Sequence, residues 1–208
     1  MNKLNFFRDC FAMDNIFLFD EKKLTEATIF FLLQSGNHKI NILKLMKLLY
    51  LSERKSFEMF HTPIIGDSLV SLNKGPVLSM TLDRINHGSR KKTYWDKFIS
   101  DRADNNIALK QEAAIQSDDD LLELSDNDIT VLKQIWFEFG NKNQWELVDY
   151  THDFCPEWRN PGSSMYPIRY EDLFNALGFS QELSNEILSQ LESQAYINQS
   201  IQMVNNHQ

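Results

Sequence analysis

Residues Asn41 to Phe57 read NILKLMKLLYLSERKSF, and the fold turns on how this run divides between core and surface. Ile42, Leu45, Met46, Leu49 and Phe57 recur at three-and-four spacing and share one helical face, while Lys44 and Lys47 lie off it. Asn41 has the short acceptor side chain that caps a helix start, and Pro63 cannot continue a helix, so one element of about five turns is predicted. A helix that long in a 208-residue chain implies a centre around which the others pack. Upstream, Leu24, Ala27, Thr28, Phe31 and Leu32 mark the face of a helix from Asp20 to Gln34, with Asp20 as its cap and Gly36 as a left-handed exit. Downstream, the β-branched run Ile64 to Ser71 has room for a small strand or ribbon. Asn73, Gly75 and Pro76 then form a turn, with Pro76 opening a helix from Val77 to Ile85.

Farther along, residues 86–106 are polar and irregular in period, and the acidic stretch Asp118, Asp119, Asp120, Glu123, Asp126 and Asp128 reads as a solvated connection. Ser125 and Asp128 form a capping box for a helix carrying Ile129, Leu132, Ile135, Trp136 and Phe139, closed by Gly140. Asn143 and Glu146 repeat the device for a helix through Tyr150, and Ser180 caps a last one along Leu183, Ile187, Leu188 and Leu191. Seven glycines and five prolines are about half the usual share, too few for the many tight turns of a sandwich or barrel. The expectation is a mainly α, compact helical domain with at most a small β-ribbon. Residues 1–20 form an N-terminal arm, 21–198 a single domain and 199–208 a tail.

The formal net charge of −8 disfavours a broad phosphate-binding surface, whose affinity comes from clustered Lys and Arg. Two cysteines, Cys10 and Cys155, are too few for a disulfide framework and suit free thiols in the cytoplasm. Arg8, Asp9 and Asp14 interrupt the Phe-rich start, so it lacks the apolar core of a signal peptide, and the longest uncharged apolar run, Ala27 to Leu33, falls far short of a membrane span. A soluble cytoplasmic protein with no membrane partner is expected.

Candidate chemistry is sparse. His152 and Cys155 are three apart, a spacing at which an imidazole can activate a thiol on a helix. Pro156 pushes Cys155 out of helical geometry, however, and no third group orients the pair, so structural roles are read for both. A zinc site would need His38, His61 or acidic residues to converge on the same pair. The Asp118 to Asp120 triplet lacks the alternating ligands and turn glycine of a calcium loop. Arg84, Arg90, Lys91, Lys92 and Lys97 surround Tyr94 and Trp95, a pattern that can neutralise and stack a single strand and makes a helical nucleic-acid-binding regulator the alternative function; against the net negative charge, a charged loop with two core anchors is the preferred reading. No catalytic residue, metal or cofactor is assigned.

Three segments carry a resemblance. Leu43 to Tyr50 contains Lys44, Lys47, Leu48 and Tyr50 on the long helix. Lys74, Gly75, Pro76 and Val77 stand at the turn, and Tyr150, Thr151 and His152 are followed by Pro156, Glu157 and Trp158. In this order the set resembles the Panacea domain, the SocA-like antitoxin family, from about Leu24 to Leu191. The resemblance implies a helical domain that neutralises a cognate toxin encoded beside it, usually by direct contact, with one type also delivering its toxin to a protease. It attaches no enzymatic activity, and the short flanks leave no room for a fused DNA-binding helix-turn-helix. As architecture, Lys44 and Lys47 bracket apolar residues and can reach out of the core by snorkelling, so that either could ion-pair inside the domain or contact a partner. His152 favours the negative end of its helix. The segment through Trp158 clamps the chain against the long helix, and Gly75 with Pro76 makes a fixed corner. These motif residues are structural or toxin-binding.

Overall fold

A computed structural model describes residues 16–89, 91–111 and 115–205; Cys10, most of the N-terminal arm and Arg90 lie outside them. Among the described residues the chain is mainly α, with eight α-helices and two small antiparallel sheets. Helix α1, Glu21–Gln34, starts where Asp20 Oδ1 accepts from the Lys22 and Lys23 amides at 2.9 and 3.1 Å. It is buried on every side from Leu24 to Leu32 rather than along one face. Its one acid in that span, Glu26, survives burial because it accepts from Tyr94 Oη at 2.9 Å and from the Glu123 amide at 2.8 Å. Gly36 is not the left-handed exit; that conformation falls on His38, φ 52°. The Ser35 hydroxyl donates to the Phe31 carbonyl at 2.8 Å, so the helix end needs no glycine cap.

Strand β1, Lys39–Asn41, leads into α2, Ile42–Phe60, capped by Asn41 Oδ1 on the Leu43 and Lys44 amides at 3.0 and 3.3 Å. Helix α2 is the central element, packed against α1, β1, a hairpin strand and two later helices. It ends at left-handed His61, φ 59°. Glu53 then braces the descending chain from inside, accepting from the amides of Ile64, Ile65 and Gly66 at 3.1, 2.6 and 3.4 Å.

The hairpin corrects the expectation for Pro76. Strands β2, Leu69–Leu72, and β3, Gly75–Leu78, pair through a two-residue loop of Asn73 and Lys74, and the next helix, α3, runs Ser79–His87. Pro76 therefore lies in a strand, opposite Ser71. The loop makes Leu72 and Gly75 the hydrogen-bonded pair, so alternation leaves Pro76 at a non-hydrogen-bonded position on an edge strand, where no amide is missed. Asp67 starts α3 across the hairpin, accepting from the Met80 and Thr81 amides at 3.0 and 2.8 Å and the Thr81 hydroxyl at 2.6 Å.

The polar stretch after α3 holds the short helix α4, Trp95–Phe98, and strand β4, Asn106–Ala108, which pairs with β1 in the register Ile40 to Ile107. The acidic stretch is folded rather than a wet connection. Asp118 pairs with Lys133 at 2.6 Å, Glu123 with Lys22 at 2.7 Å and Asp128 with Lys23 at 2.8 Å, while Asp120 accepts the Gln116 amide at 2.9 Å. Helix α5, Asp126–Phe139, opens on the Ser125–Asp128 box and α6, Gln144–Phe154, on the Asn143–Glu146 box. Gly140 closes α5 in ordinary right-handed geometry, φ −59°. Its role is space, because a Cβ there would stand 2.5 Å from the Trp136 carbonyl oxygen. Strand β5, Tyr166–Pro167, adds to the free side of β2, followed by α7, Tyr170–Ala176, and α8, Gln181–Asn205.

Candidate functional site

Lys47, Tyr50 and Arg54 stand at i, i+3 and i+7 on α2, one stripe turned toward the hairpin and the end of α6. Lys47 does not snorkel outward. Its side chain is fully buried and Nζ donates to the Pro76 carbonyl at 2.6 Å. The strand position of Pro76 makes this possible, since the carbonyl at a non-hydrogen-bonded pair points away from β2. Gly75, φ 95°, lets the hairpin approach so closely that a Cβ would sit 2.8 Å from Lys47 Nζ and 2.7 Å from Thr151 Oγ1. The Thr151 hydroxyl is itself tied to the Val148 carbonyl at 3.0 Å.

Beyond α6, Cys155 leaves helical geometry at φ −116° ahead of Pro156, and the Trp158 amide closes the turn on the Cys155 carbonyl at 2.9 Å. The turn delivers Glu157 into the core, where Oε1 accepts from Tyr50 Oη at 2.6 Å and Arg54 Nε at 3.0 Å. It also sets the Trp158 indole N–H on the Leu72 carbonyl at 2.9 Å and stacks that ring on His152, centroids 3.9 Å apart and 11° from parallel. Three sequence segments thus meet in one buried polar centre. Leu48 and Val77 are buried in its apolar surround. Lys44 faces elsewhere: Nζ donates to the Gly140 carbonyl at 2.6 Å and lies 5.3 Å from the Trp136 ring centroid, fastening α2 to α5.

Burial pulls Lys47 down to about 7, and it pushes the Cys155 thiol up to about 12 with help from the nearby Glu157 charge. Cys155 stays protonated and inert. His152 Nε2 is buried without a hydrogen-bond partner, and the ring is held below its ordinary pKa by burial and then by Lys47, so the helix end does not keep it charged. The spacing that suggested a dyad produces none. No group of three or more metal-ligating side chains is assembled among the described residues, His38 and His61 included. Tyr94 and Trp95 turn inward, Tyr94 onto Glu26 at 2.9 Å and Trp95 into the core, so this pair does not present a stacking platform for bases. Sequence reasoning missed Arg54, whose signal was its place seven residues after Lys47 on the same helix.

A pH profile of stability follows from these buried groups. Burial raises Glu53 to about 7 and Asp67 to about 6. Between their ordinary values and these, the folded state binds more protons than the unfolded, so stability falls as pH rises. Lys47 has the opposite sign: from about 7 to 10.5 the unfolded state binds the extra proton, and stability rises with pH. Denaturant midpoints from pH 4.5 to 10 are expected to pass through a minimum near 7. Glu53→Gln flattens the acid limb and Lys47→Met the alkaline one; a profile unchanged in Lys47→Met would show that Lys47 keeps its ordinary pKa in the fold.

No curated protein and no solved structure matches the chain. The family model described as antitoxin SocA-like, Panacea domain, matches residues 45–159, more than half of the chain. That span opens on α2 two residues before Lys47 and closes directly after Trp158, enclosing the whole buried centre. The chain belongs to the SocA-like antitoxin family, the Panacea domain.

Proposed function

We propose that this chain neutralises a toxin encoded by the neighbouring gene by binding it directly and burying a surface the toxin needs for activity. The observation that carries the reading is the family match over residues 45–159. The bonding of the motif residues suits it. Lys47 Nζ, Tyr50 Oη, Glu157 Oε1 and the Trp158 indole N–H bond inside the domain, so these residues hold a frame whose exposed residues do the recognising. No catalytic step is needed. Among the described residues no helix is long and apolar enough to cross a membrane.

Co-expression with the neighbouring reading frame tests this. Growth is expected to be rescued, the two proteins to co-purify, and variants that abolish co-purification to abolish rescue. Rescue that persists without a complex would sink the proposal. Delivery to a protease, the second mode the family resemblance implies, would shorten the toxin's half-life when this chain is present, whereas burial alone would not.

A further inference from the structure

A groove of about 640 Å³ opens beside the β2–β3 loop, between the starts of α2 and α6 and the side of α3. Its floor is apolar, made by Met46, Leu72, Val77 and Leu82, and Trp145 forms a wall with 53% of its surface exposed. Two cations mark the rim. Lys74 Nζ lies 5.0 Å from the Trp145 ring centroid. Arg102 donates to the amide oxygens of Asn86 and, at 2.6 Å, Asn105, both neutral acceptors. No Asp or Glu lines this groove among the described residues, in a chain with 29 acidic against 21 basic side chains.

We infer that this groove is the contact site for the toxin, and that it receives an apolar toxin side chain with an Asp or Glu beside it. The inference rests on the antitoxin reading and adds to it the surface and the chemistry of the segment bound. An apolar side chain on the floor gives up water on both partners, and exposed Trp and Arg, here Trp145 and Arg102, are the residue types that anchor protein interfaces. A carboxylate reaching Arg102 makes charge-assisted bonds that its amide neighbours cannot match. The site is also preorganised. Lys74 is adjacent to Gly75, wedged between Lys47 and Thr151, and the Trp145 amide is held by the Asn143 cap at 2.8 Å.

The test uses the full chain and the product of the neighbouring gene, with affinity measured by calorimetry and fold by melting. Trp145→Ala and Arg102→Glu are each expected to weaken binding about 30-fold or more, the range of an interface anchor, while melting like the parent. Tyr196→Ala, an exposed aromatic on α8 outside the groove, is expected to bind as the parent does. If both groove variants bind normally while the parent binds and rescues growth, the groove is overturned and the antitoxin reading stands. A parent that neither binds nor rescues removes both. Should the groove variants instead abolish self-association of the chain in sedimentation and leave toxin affinity intact, a second copy fills the groove and the inference is equally overturned.

Discussion

Glu157→Ala is expected to lower the stability of the domain by about 3–5 kcal/mol, the cost of breaking a buried ion pair from one side. Glu157 Oε1 is the acceptor for both Tyr50 Oη and Arg54 Nε. Its loss orphans a fully buried hydroxyl and leaves the guanidinium, whose side chain is 20% exposed, without its counter-charge. At about 2–4 °C per kcal/mol for a domain of this size, the melting temperature should fall by about 6–20 °C. The double variant Glu157→Ala with Arg54→Met removes the stranded charge and should recover part of the loss, because replacing both partners by apolar groups avoids the uncompensated ion. Thermal unfolding of the parent, both single variants and the double variant measures this. A Glu157→Ala protein that melts within a degree or two of the parent would show that the carboxylate does not hold α2 to the turn after α6.

The second large effect belongs to Gly75→Ala, for which a loss of roughly 2–4 kcal/mol is expected from two additive sources. At φ 95° the backbone lies where an L side chain is strained. The new methyl would also stand 2.7 Å from Thr151 Oγ1 and 2.8 Å from Lys47 Nζ. Neither neighbour can retreat without losing its own bond, Thr151 to the Val148 carbonyl and Lys47 to the Pro76 carbonyl. Relief should therefore come from shortening the neighbour: Thr151→Ala added to Gly75→Ala is expected to regain stability, although Thr151→Ala alone loses it. Chemical denaturation of the four proteins gives the coupling directly. A strictly additive cycle would mean that the methyl and the hydroxyl never compete for the same space.

Much of the helical plan was legible because its signals are local. Asn41 caps its helix through amides two and three residues on, and the Ser125–Asp128 and Asn143–Glu146 boxes close within three. Such bonds form wherever the chain turns helical, whatever packs against it later. Apolar spacing on α2 likewise marked residues that are buried, since that periodicity belongs to the helix itself, but it did not tell that the helix is covered on every side from Leu45 to Glu53, Lys47 included.

Other features depended on partners remote in sequence. Periodicity gave α1 one buried face, but α2, α4 and α5 surround it and bury it throughout. Strand β1 finds β4 more than sixty residues away, in a polar stretch with no alternation to announce it. For Pro76 the local reading was a helix start, and pairing with Ser71 overrode it; that register then aimed the carbonyl that lets Lys47 lie buried instead of reaching for water. His152 and Cys155 kept their spacing yet went to different neighbours, one to Trp158 and the other to the core. By itself, then, the sequence determined the long helices, their side-chain N-caps and the family motifs, because each is written in residues within a turn or two of one another. The tertiary structure alone decided which motif side chains are spent inside and which neighbours remain exposed for a partner, because a buried charge is tolerated only where a distant segment brings its acceptor.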